Sequence, residues 1–267
     1  MSTHKDLEER LAQDFVYGDF VPSEINDSNE SVLLPFFSDE SKKRLFSSTT
    51  AEPFFRLANF YQPQINPVYC GIASAVIVMN ALTQPRNQAP FQEELTLTIP
   101  TNGKTIHFPA HTQLSFLNES TEKIKKKSVI EYREKNSDGT YKPGLSISEL
   151  TALIQDHGFQ ADFSYSRDSA VADGIKFFRK CLKENFKKTQ PYFIIHFRSD
   201  LLGGVSRGHI SPIAAYHEAS DSVLVLDVAG HKTPWYWAPL GLLFRAMAFQ
   251  YDTQPKGGGL ISVRLPS

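Results

Sequence analysis

Cys70 is the residue whose sequence context best suits a nucleophile. It stands in QINPVYCGIASAV, directly before a run of small and apolar residues that predicts a buried helix over 71–82. A thiol at a helix N-terminus meets the positive end of the helix dipole and unpaired N–H groups, and both favour the thiolate. Gln64, six residues earlier, would form a two-donor oxyanion hole with the Cys70 backbone N–H. The same context also suits a small buried cysteine without chemistry.

A cysteine nucleophile needs a base and a group that orients the base. His209 follows a glycine at the start of HISPIAAYH, and Asp227 ends the run VLVLD, eighteen residues further on. Adjacent antiparallel strands joined by a loop around 218–222 would bring these two side chains together. Asp227 would then fix the tautomer of His209 and stabilise its cation. A lone histidine is more often a core or surface residue, but the ordered set of glutamine, cysteine, histidine and aspartate favours catalysis.

The other histidines and the second cysteine are weaker candidates. His217 lies eight residues after His209, and His231 lies fourteen residues after His217. These spacings match no compact zinc pattern. His107 and His111 are four apart, but a proline between them argues against a helix. We therefore expect no metal site here, and we expect the cysteine at position 181 to pack on a helix face.

Two kinds of element must position these residues. The N-cap serine and terminal glycine of SISELTALIQDHG predict a helix over 146–158, and a second amphipathic helix is predicted over 173–188. The 84–143 region predicts one or two hairpin-like strands. Later runs predict a mainly antiparallel sheet: PYFIIHF, HISPIAAYH, VLVLDVA and LISVRL. Helices first and strands second predict an α+β fold with a cleft between the two halves.

Composition and charge bound the remaining possibilities. The 267 residues carry a formal net charge of -1, which favours neither nucleic acid nor an anionic membrane as a partner. The first twenty residues are charged and lack the apolar core of a secretory signal, and no apolar run reaches the roughly 18 residues of a membrane span. Two distant cysteines favour free thiols in a reducing compartment, so we expect a cytoplasmic protein. We expect one catalytic domain over 1–267, with a polar arm at 1–30.

The motifs QPQINPVYCGIASAVIVMNAL and RGHISPIAAYHEASDSVLVLDVAGHKTPWYWAPLGLLFRAM resemble the catalytic domain of phytochelatin synthases. Weaker similarity runs from about residue 40 to the C-terminus. The resemblance implies a papain-like fold, in which the nucleophile helix of an N-terminal helical half packs on a C-terminal antiparallel sheet. It also implies removal of glycine from glutathione through a γ-glutamylcysteinyl thioester. The acyl group then passes to another glutathione, to a phytochelatin or to water.

The resemblance assigns roles to four residues. Cys70 is the expected nucleophile and His209 the base and then the acid. Asp227 is the expected orienting group and Gln64 the oxyanion donor. No resident cofactor is implied, because cadmium or zinc would enter only as a metal thiolate of the acceptor glutathione. The resemblance also allows a homodimer.

Three further residues are expected to bind substrate. Arg198 lies near the position of the arginine that precedes the family's catalytic histidine, and it is the candidate for a substrate carboxylate. Gly208 and Tyr69, the neighbours of the catalytic histidine and cysteine, complete this set.

Two departures from the family pattern favour hydrolysis over transfer. The family sequence after the aspartate runs like DVARFKYPP, whereas this chain has DVAGHKTPW, with Gly230 in place of an arginine thought to receive the acceptor. The chain also stops at Ser267 without the cysteine-rich region of plant-type enzymes, so metal-driven polymer synthesis is not expected to be its main activity.

Two other functions remain open at this stage. The same catalytic residues would serve a papain-like protease or amidase acting on a protein, with the 84–140 region covering the cleft. The non-enzymatic alternative is a thiol or metal-binding module that uses Cys70 and surface histidines.

Overall fold

The structure is a computed structural model that describes residues 33–86, 88–90, 92, 95–131, 137, 144–203, 208–248 and 256–266. The polar arm predicted at 1–30 lies outside these residues. The described helices are α1 (Asp39–Ser47), α2 (Glu52–Asn59), α3 (Cys70–Thr83), α4 (Lys127–Glu131), α5 (Ile147–Asp156), α6 (Val171–Asn185) and α7 (Leu240–Ala248). The described strands are β1 (Leu34–Pro35), β2 (Thr96–Thr98), β3 (Thr105–His107), β4 (Gln160–Tyr165), β5 (Tyr192–Arg198), β6 (Gly208–His217), β7 (Ser222–Val225), β8 (Tyr236–Pro239) and β9 (Gly259–Arg264).

One antiparallel sheet forms the centre of the described fold. Its seven strands lie in the order β1-β8-β7-β6-β5-β9-β4, and each neighbouring pair is antiparallel. The four strands predicted from the second half of the sequence are all present in this sheet. A separate hairpin pairs β2 with β3, as the alternation in the 84–143 region predicted. The α+β, papain-like fold class is therefore confirmed.

Helices cover both faces of the sheet. Alternate residues of a strand point to opposite faces, and β5 shows this directly. Tyr192 and Ile194 pack into a core with α3 and α5, whereas Phe193 and Ile195 pack into a second core with α6 and α7. Helix α6, which the sequence predicted over 173–188, and helix α7 cover the face of the sheet opposite α3 and α5. Helix α7 lies between β8 and β9 and was not predicted.

The nucleophile helix α3 is buried along its length. Every residue from Gly71 to Thr83 is buried, in agreement with the apolar run that predicted this helix over 71–82. Gly71 lets the helix approach strand β6, because a Cβ atom there would lie 3.2 Å from Ile210 Cδ1. The Ser74 hydroxyl donates to the carbonyls of Cys70 (2.7 Å) and Ile210 (3.1 Å). The first turn of α3 is thereby fixed against the strand that carries His209.

The two predicted amphipathic helices are confirmed with shifted ends. Helix α5 begins with a capping box in which Ser146 Oγ accepts from Glu149 N and the Glu149 carboxylate accepts from Ser146 N at 2.8 Å. Gly158, with φ of +86°, follows its end as predicted. Helix α6 spans Val171–Asn185 instead of 173–188. In the part of the chain that the structure describes, no helix is long and apolar enough to cross a membrane.

Candidate active site

Three elements bring the predicted catalytic residues together. Cys70 is the first residue of α3 and is partly buried. His209 is the second residue of β6 and lies on the antiparallel hairpin that β6 forms with β7. Asp227 lies two residues beyond Val225, the last residue of β7. The sequence predicted Asp227 as the end of this strand, so the strand is slightly shorter than predicted. The hairpin nevertheless places the aspartate beside the histidine.

Asp227 holds the imidazole of His209 through a buried hydrogen bond. The distance from His209 Nε2 to Asp227 Oδ1 is 2.8 Å, and the two residues are 5% and 2% exposed. The carboxylate is itself fixed, because the Ala229 backbone N–H donates to the same Oδ1 at 2.8 Å. The Tyr61 hydroxyl donates to the Asp227 carbonyl at 2.7 Å, and Ser211 Oγ lies 3.1 Å from His209 Nε2. This surrounds the pair with fixed polar contacts.

The electrostatics of the site favour a protonated His209. Burial opposes the charge on this ring, but the charge and hydrogen bond of Asp227, followed by those of Cys70, raise the pKa of His209 to about 10. At the neighbouring His196, burial and then the charge of His209 lower the pKa to about 4. Since Nε2 is used by Asp227, Nδ1 is the ring nitrogen left for the Cys70 thiol. An imidazolium at that position stabilises a thiolate.

Gln64, the predicted oxyanion donor, is held by backbone and side-chain hydrogen bonds. Its backbone N–H donates to Val228 O at 2.8 Å, which ties it to the residue after Asp227. One N–H of its side-chain amide donates to Asn66 O at 2.9 Å. A primary amide carries two N–H donors, so the second N–H remains for a substrate oxygen. The Cys70 backbone N–H, at the start of α3, is a second donor of the kind that helix N-termini leave unpaired.

The loop that carries Gln64 is positioned by a residue that the sequence did not single out. Gln113 Oε1 accepts from the Ile65 backbone N–H at 3.0 Å, and Gln113 Nε2 donates to Pro63 O at 2.9 Å. The Gln113 side chain is 2% exposed. The 84–143 region, whose sequence shows little periodicity, thus supports the loop that carries Gln64. A buried glutamine carries no sequence pattern that would have revealed this role.

The three predicted substrate-binding residues lie in different environments. Arg198 ends β5 and pairs in register with Gly208, the exposed residue next to His209. Its guanidinium makes a two-pronged ion pair with Asp200, with 2.8 Å between Nε and Oδ1. Tyr69 is the N-cap residue of α3 and only 4% exposed. The substrate contacts of all three residues remain predictions.

A pocket of about 470 Å³ lies beside the loop that carries Gln64. Its lining residues include Tyr61, Gln64, Gly230 and His231. Its described lining residues include no lysine and no arginine. A Cβ atom on Gly230 would lie 3.0 Å from the Tyr61 hydroxyl, so a side chain there would crowd the group that holds Asp227.

The remaining candidates do not assemble into a second reactive centre. Among the described residues, no three His, Cys, Asp or Glu side chains form a group that could hold a metal ion. Cys70 and Cys181 are free thiols. Cys181 packs against the core with α6 and α7, as its helical position predicted. His107 lies on strand β3, whereas His111 lies outside any helix, in agreement with the proline between them.

The fold and the order of glutamine, cysteine, histidine and aspartate are those of a papain-like thiol enzyme. A sequence model of the phytochelatin synthase family matches residues 28–258, and the chain belongs to this family. It is 28% identical over 217 residues to glutathione gamma-glutamylcysteinyltransferase 3 of Lotus japonicus, covering 80% of this chain and 38% of that protein. It is 28% identical over 239 residues to glutathione gamma-glutamylcysteinyltransferase 1 of Arabidopsis thaliana, covering 86% of this chain and 41% of that protein.

A yeast relative is similar over a shorter stretch. The glutathione gamma-glutamylcysteinyltransferase of Schizosaccharomyces pombe is 29% identical over 119 residues, which is 43% of this chain and 28% of that protein. The chain spans about two fifths of the length of the plant relatives that it matches.

Proposed function

We propose that this protein removes the glycine of glutathione through a γ-glutamylcysteinyl thioester on Cys70, acting mainly as a hydrolase. The observation that carries the proposal is the His209 imidazole, which Asp227 holds at 2.8 Å beside the thiol at the start of α3. This geometry supports the proposed reaction class, because a thiolate beside an imidazolium is a nucleophile for acyl transfer. The substrate is proposed from the family and from the names of its relatives.

In the acylation step, the Cys70 sulfur attacks the carbonyl carbon of the Cys–Gly peptide bond of glutathione. Negative charge develops on the carbonyl oxygen and is stabilised by the Gln64 amide and the Cys70 backbone N–H. His209 gives its proton to the glycine nitrogen as the C–N bond breaks, so glycine leaves as a neutral amine group. The thioester and a neutral imidazole remain, and Asp227 keeps that ring in place.

In the deacylation step, His209 accepts a proton from water while the water oxygen attacks the thioester carbon. The C–S bond then breaks, γ-Glu-Cys is released, and the proton on His209 restores the ion pair with the Cys70 thiolate. Transfer follows the same course with the amino group of a second glutathione in place of water. No cofactor held by the protein enters either step, and a cadmium or zinc ion would enter only as a thiolate of the acceptor.

Gly230 supports hydrolysis as the main outcome. The pocket beside Gln64 offers no lysine or arginine among its described lining residues to hold an acceptor carboxylate. Fixing a charged acceptor requires a cation of this kind, because charge-assisted hydrogen bonds are the strong ones. Water needs no such group, so the rate of hydrolysis should fall less than the rate of transfer when the cation is missing.

Mass spectrometry of the purified protein with glutathione, with and without Cd²⁺, tests the proposal. We expect glycine and γ-Glu-Cys, few or no longer polymers, and no turnover by a folded Cys70→Ala variant. Gly230→Arg should shift products toward transfer, while Gly230→Ala, which adds only the crowding against Tyr61, should not. Undiminished glycine release by Cys70→Ala would refute the mechanism. Absence of turnover with a reactive Cys70 would point instead to a protein substrate.

A further inference from the structure

The two donors of the proposed oxyanion hole belong to different segments of the chain. The Cys70 backbone N–H lies at the start of α3, whereas the Gln64 amide lies on the loop 62–66 that precedes this helix. Both donors must lie about 2.7–3.1 Å from one developing oxyanion. A misplacement of about 1 Å can lower a rate about 10²-fold. The reaction therefore depends on how firmly the fold holds this loop against the helix.

The Gln113 side chain holds the loop on both sides of Gln64. Its Oε1 accepts from the Ile65 backbone N–H at 3.0 Å. Its Nε2 donates to Gln62 Oε1 and to Pro63 O, each at 2.9 Å, which matches the two N–H donors of a primary amide. The side chain is only 2% exposed, so water cannot readily replace these bonds if the amide is removed.

The segment that carries Gln113 is itself attached to the nucleophile helix. Asn80, ten residues after Cys70 on α3, donates from Nδ2 to His111 O at 2.9 Å and accepts at Oδ1 from His111 N at 2.8 Å. The Asn80 side chain is buried. Because a helix rises about 1.5 Å per residue, Asn80 lies about 15 Å along α3 from Cys70. It is too far from the thiol to contact the reacting atoms, so any effect on catalysis must act through position.

The other end of the loop is attached to the start of α3. Asn66 Oδ1 accepts from Val68 N at 3.1 Å, and Asn66 O accepts from Tyr69 N at 3.0 Å. Gln64 Nε2 donates to the same Asn66 O at 2.9 Å. The oxyanion donor thus lies between one support at Asn66, next to the helix start, and another at Gln113.

We propose that Gln113 and Asn80 are positioning residues that hold the Gln64 amide against the start of α3 during acylation. This inference rests on the proposed function, because its readout is glycine release from glutathione. Without the Gln113 amide, the loop loses its bonds on both sides of Gln64 and shifts away from the helix. Without the Asn80 amide, the segment that carries Gln113 shifts instead. In both cases the Gln64 donor no longer meets the developing oxyanion.

A double-mutant cycle with Gln64, measured by steady-state glycine release, tests the proposal. Gln113→Met replaces the amide by an apolar side chain of similar length, and it should lower kcat about 10–100-fold while KM changes less than about twofold. In the Gln64→Ala background the same exchange should change kcat less than about threefold, because the group that Gln113 positions is gone. Asn80→Ala should show the same dependence on Gln64 with a smaller loss, about fivefold in kcat.

Two controls separate positioning from a general loss of structure. Gln155→Met makes the same exchange at a glutamine of α5 whose Nε2 donates to Ala161 O at 2.7 Å, and it should leave kcat unchanged. Alkylation of Cys70 by iodoacetamide requires the thiolate but no oxyanion donor, so Gln113→Met should leave the alkylation rate unchanged.

Three results with an active wild type would overturn this inference alone. The first is an equal loss of kcat from Gln113→Met with and without Gln64, since the effect would then not pass through the oxyanion donor. The second is an unchanged kcat in Gln113→Met, since the bond from Gln64 N to Val228 O would then suffice to hold the loop. The third is slower alkylation of Cys70 in Gln113→Met, which would show a loss of thiolate. Absence of glycine release by the wild type would instead refute the proposed function, and this inference with it.

Discussion

Replacing Asp227 by asparagine removes the charge that holds His209 protonated and keeps the shape of the side chain. The rise in the pKa of His209 from 6.5 to about 10 corresponds to about 5 kcal/mol of interaction between the imidazolium and its surroundings. Asp227 is the largest favourable contributor to that rise and Cys70 the next. We expect Asp227→Asn to lower the rate of acylation by about 10³–10⁴-fold, the range typical for loss of the carboxylate that orients a catalytic histidine.

The pH dependence of the same variant provides a sharper readout than the rate alone. Wild-type kcat/KM for glycine release should hold up to the alkaline range and fall near pH 10, where His209 loses its proton. In Asp227→Asn, burial should dominate, as it does at His196, whose pKa is about 4. The alkaline limb of the profile should therefore move to below pH 7.

The free energy of unfolding should also depend on the protonation of His209. A raised pKa in the folded state means that the interaction is fully present below about pH 6.5 and is lost as the pH rises through about 10. The free energy of unfolding of the wild type should therefore fall across this window more steeply than that of Asp227→Asn. Denaturant titrations at several pH values measure the difference.

Asp221→Asn is the matched control, because Asp221 lies in the turn of the same hairpin. The Asp221 carboxylate pairs with Arg179 at 2.7 Å and accepts from the Tyr216 hydroxyl at 2.6 Å. Neither partner belongs to the predicted catalytic set. It should lower stability and leave the pH profile of glycine release unchanged. An alkaline limb that stays near pH 10 in Asp227→Asn would refute the reasoning, since His209 would then owe its proton to another group.

Three further outcomes are expected. Gln64→Ala should lower kcat for glycine release by about 10²–10³-fold with little change in KM, measured by steady-state kinetics; a change in KM alone would contradict an oxyanion role. Arg198→Gln should raise KM for glutathione about tenfold, since the Asp200 ion pair already occupies part of the guanidinium, and an unchanged KM would exclude it from binding the substrate. Ser146→Ala should lower the free energy of unfolding by about 1 kcal/mol in denaturant titrations with activity retained, because it removes the cap shared with Glu149.

The sequence predicted where Cys70, His209 and Asp227 lie in the fold, because each stands at the end of a strongly patterned element. The length and small residues of the apolar run after Cys70 favoured a buried helix, and the alternation around His209 indicated a strand. The pairing of β6 with β7 followed from the short turn between them. Burial and backbone preference are both encoded in the residue pattern of a single segment, so they can be predicted without knowing which segments pack together.

The supporting contacts could not be predicted in the same way. Gln113 braces the loop that carries Gln64 from a region without periodicity, and Ser74 bonds to the strand that carries His209 only because α3 packs there. Helix α7 was missed because Leu240–Ala248 is a short apolar run, and such runs do not distinguish helix from strand. Each of these features depends on which segments meet in three dimensions.

The order of the catalytic residues along the chain has a consequence for biosynthesis. Cys70 is translated well before His209 and Asp227, on the order of ten seconds at ordinary elongation rates. The β6–β7 hairpin that supplies the imidazolium and its carboxylate cannot form until both strands have left the ribosome. Until then neither His209 nor Asp227 lies beside Cys70. The nascent chain is therefore expected to be inactive toward its proposed substrate. A released N-terminal fragment without His209 and Asp227 should be inactive for the same reason.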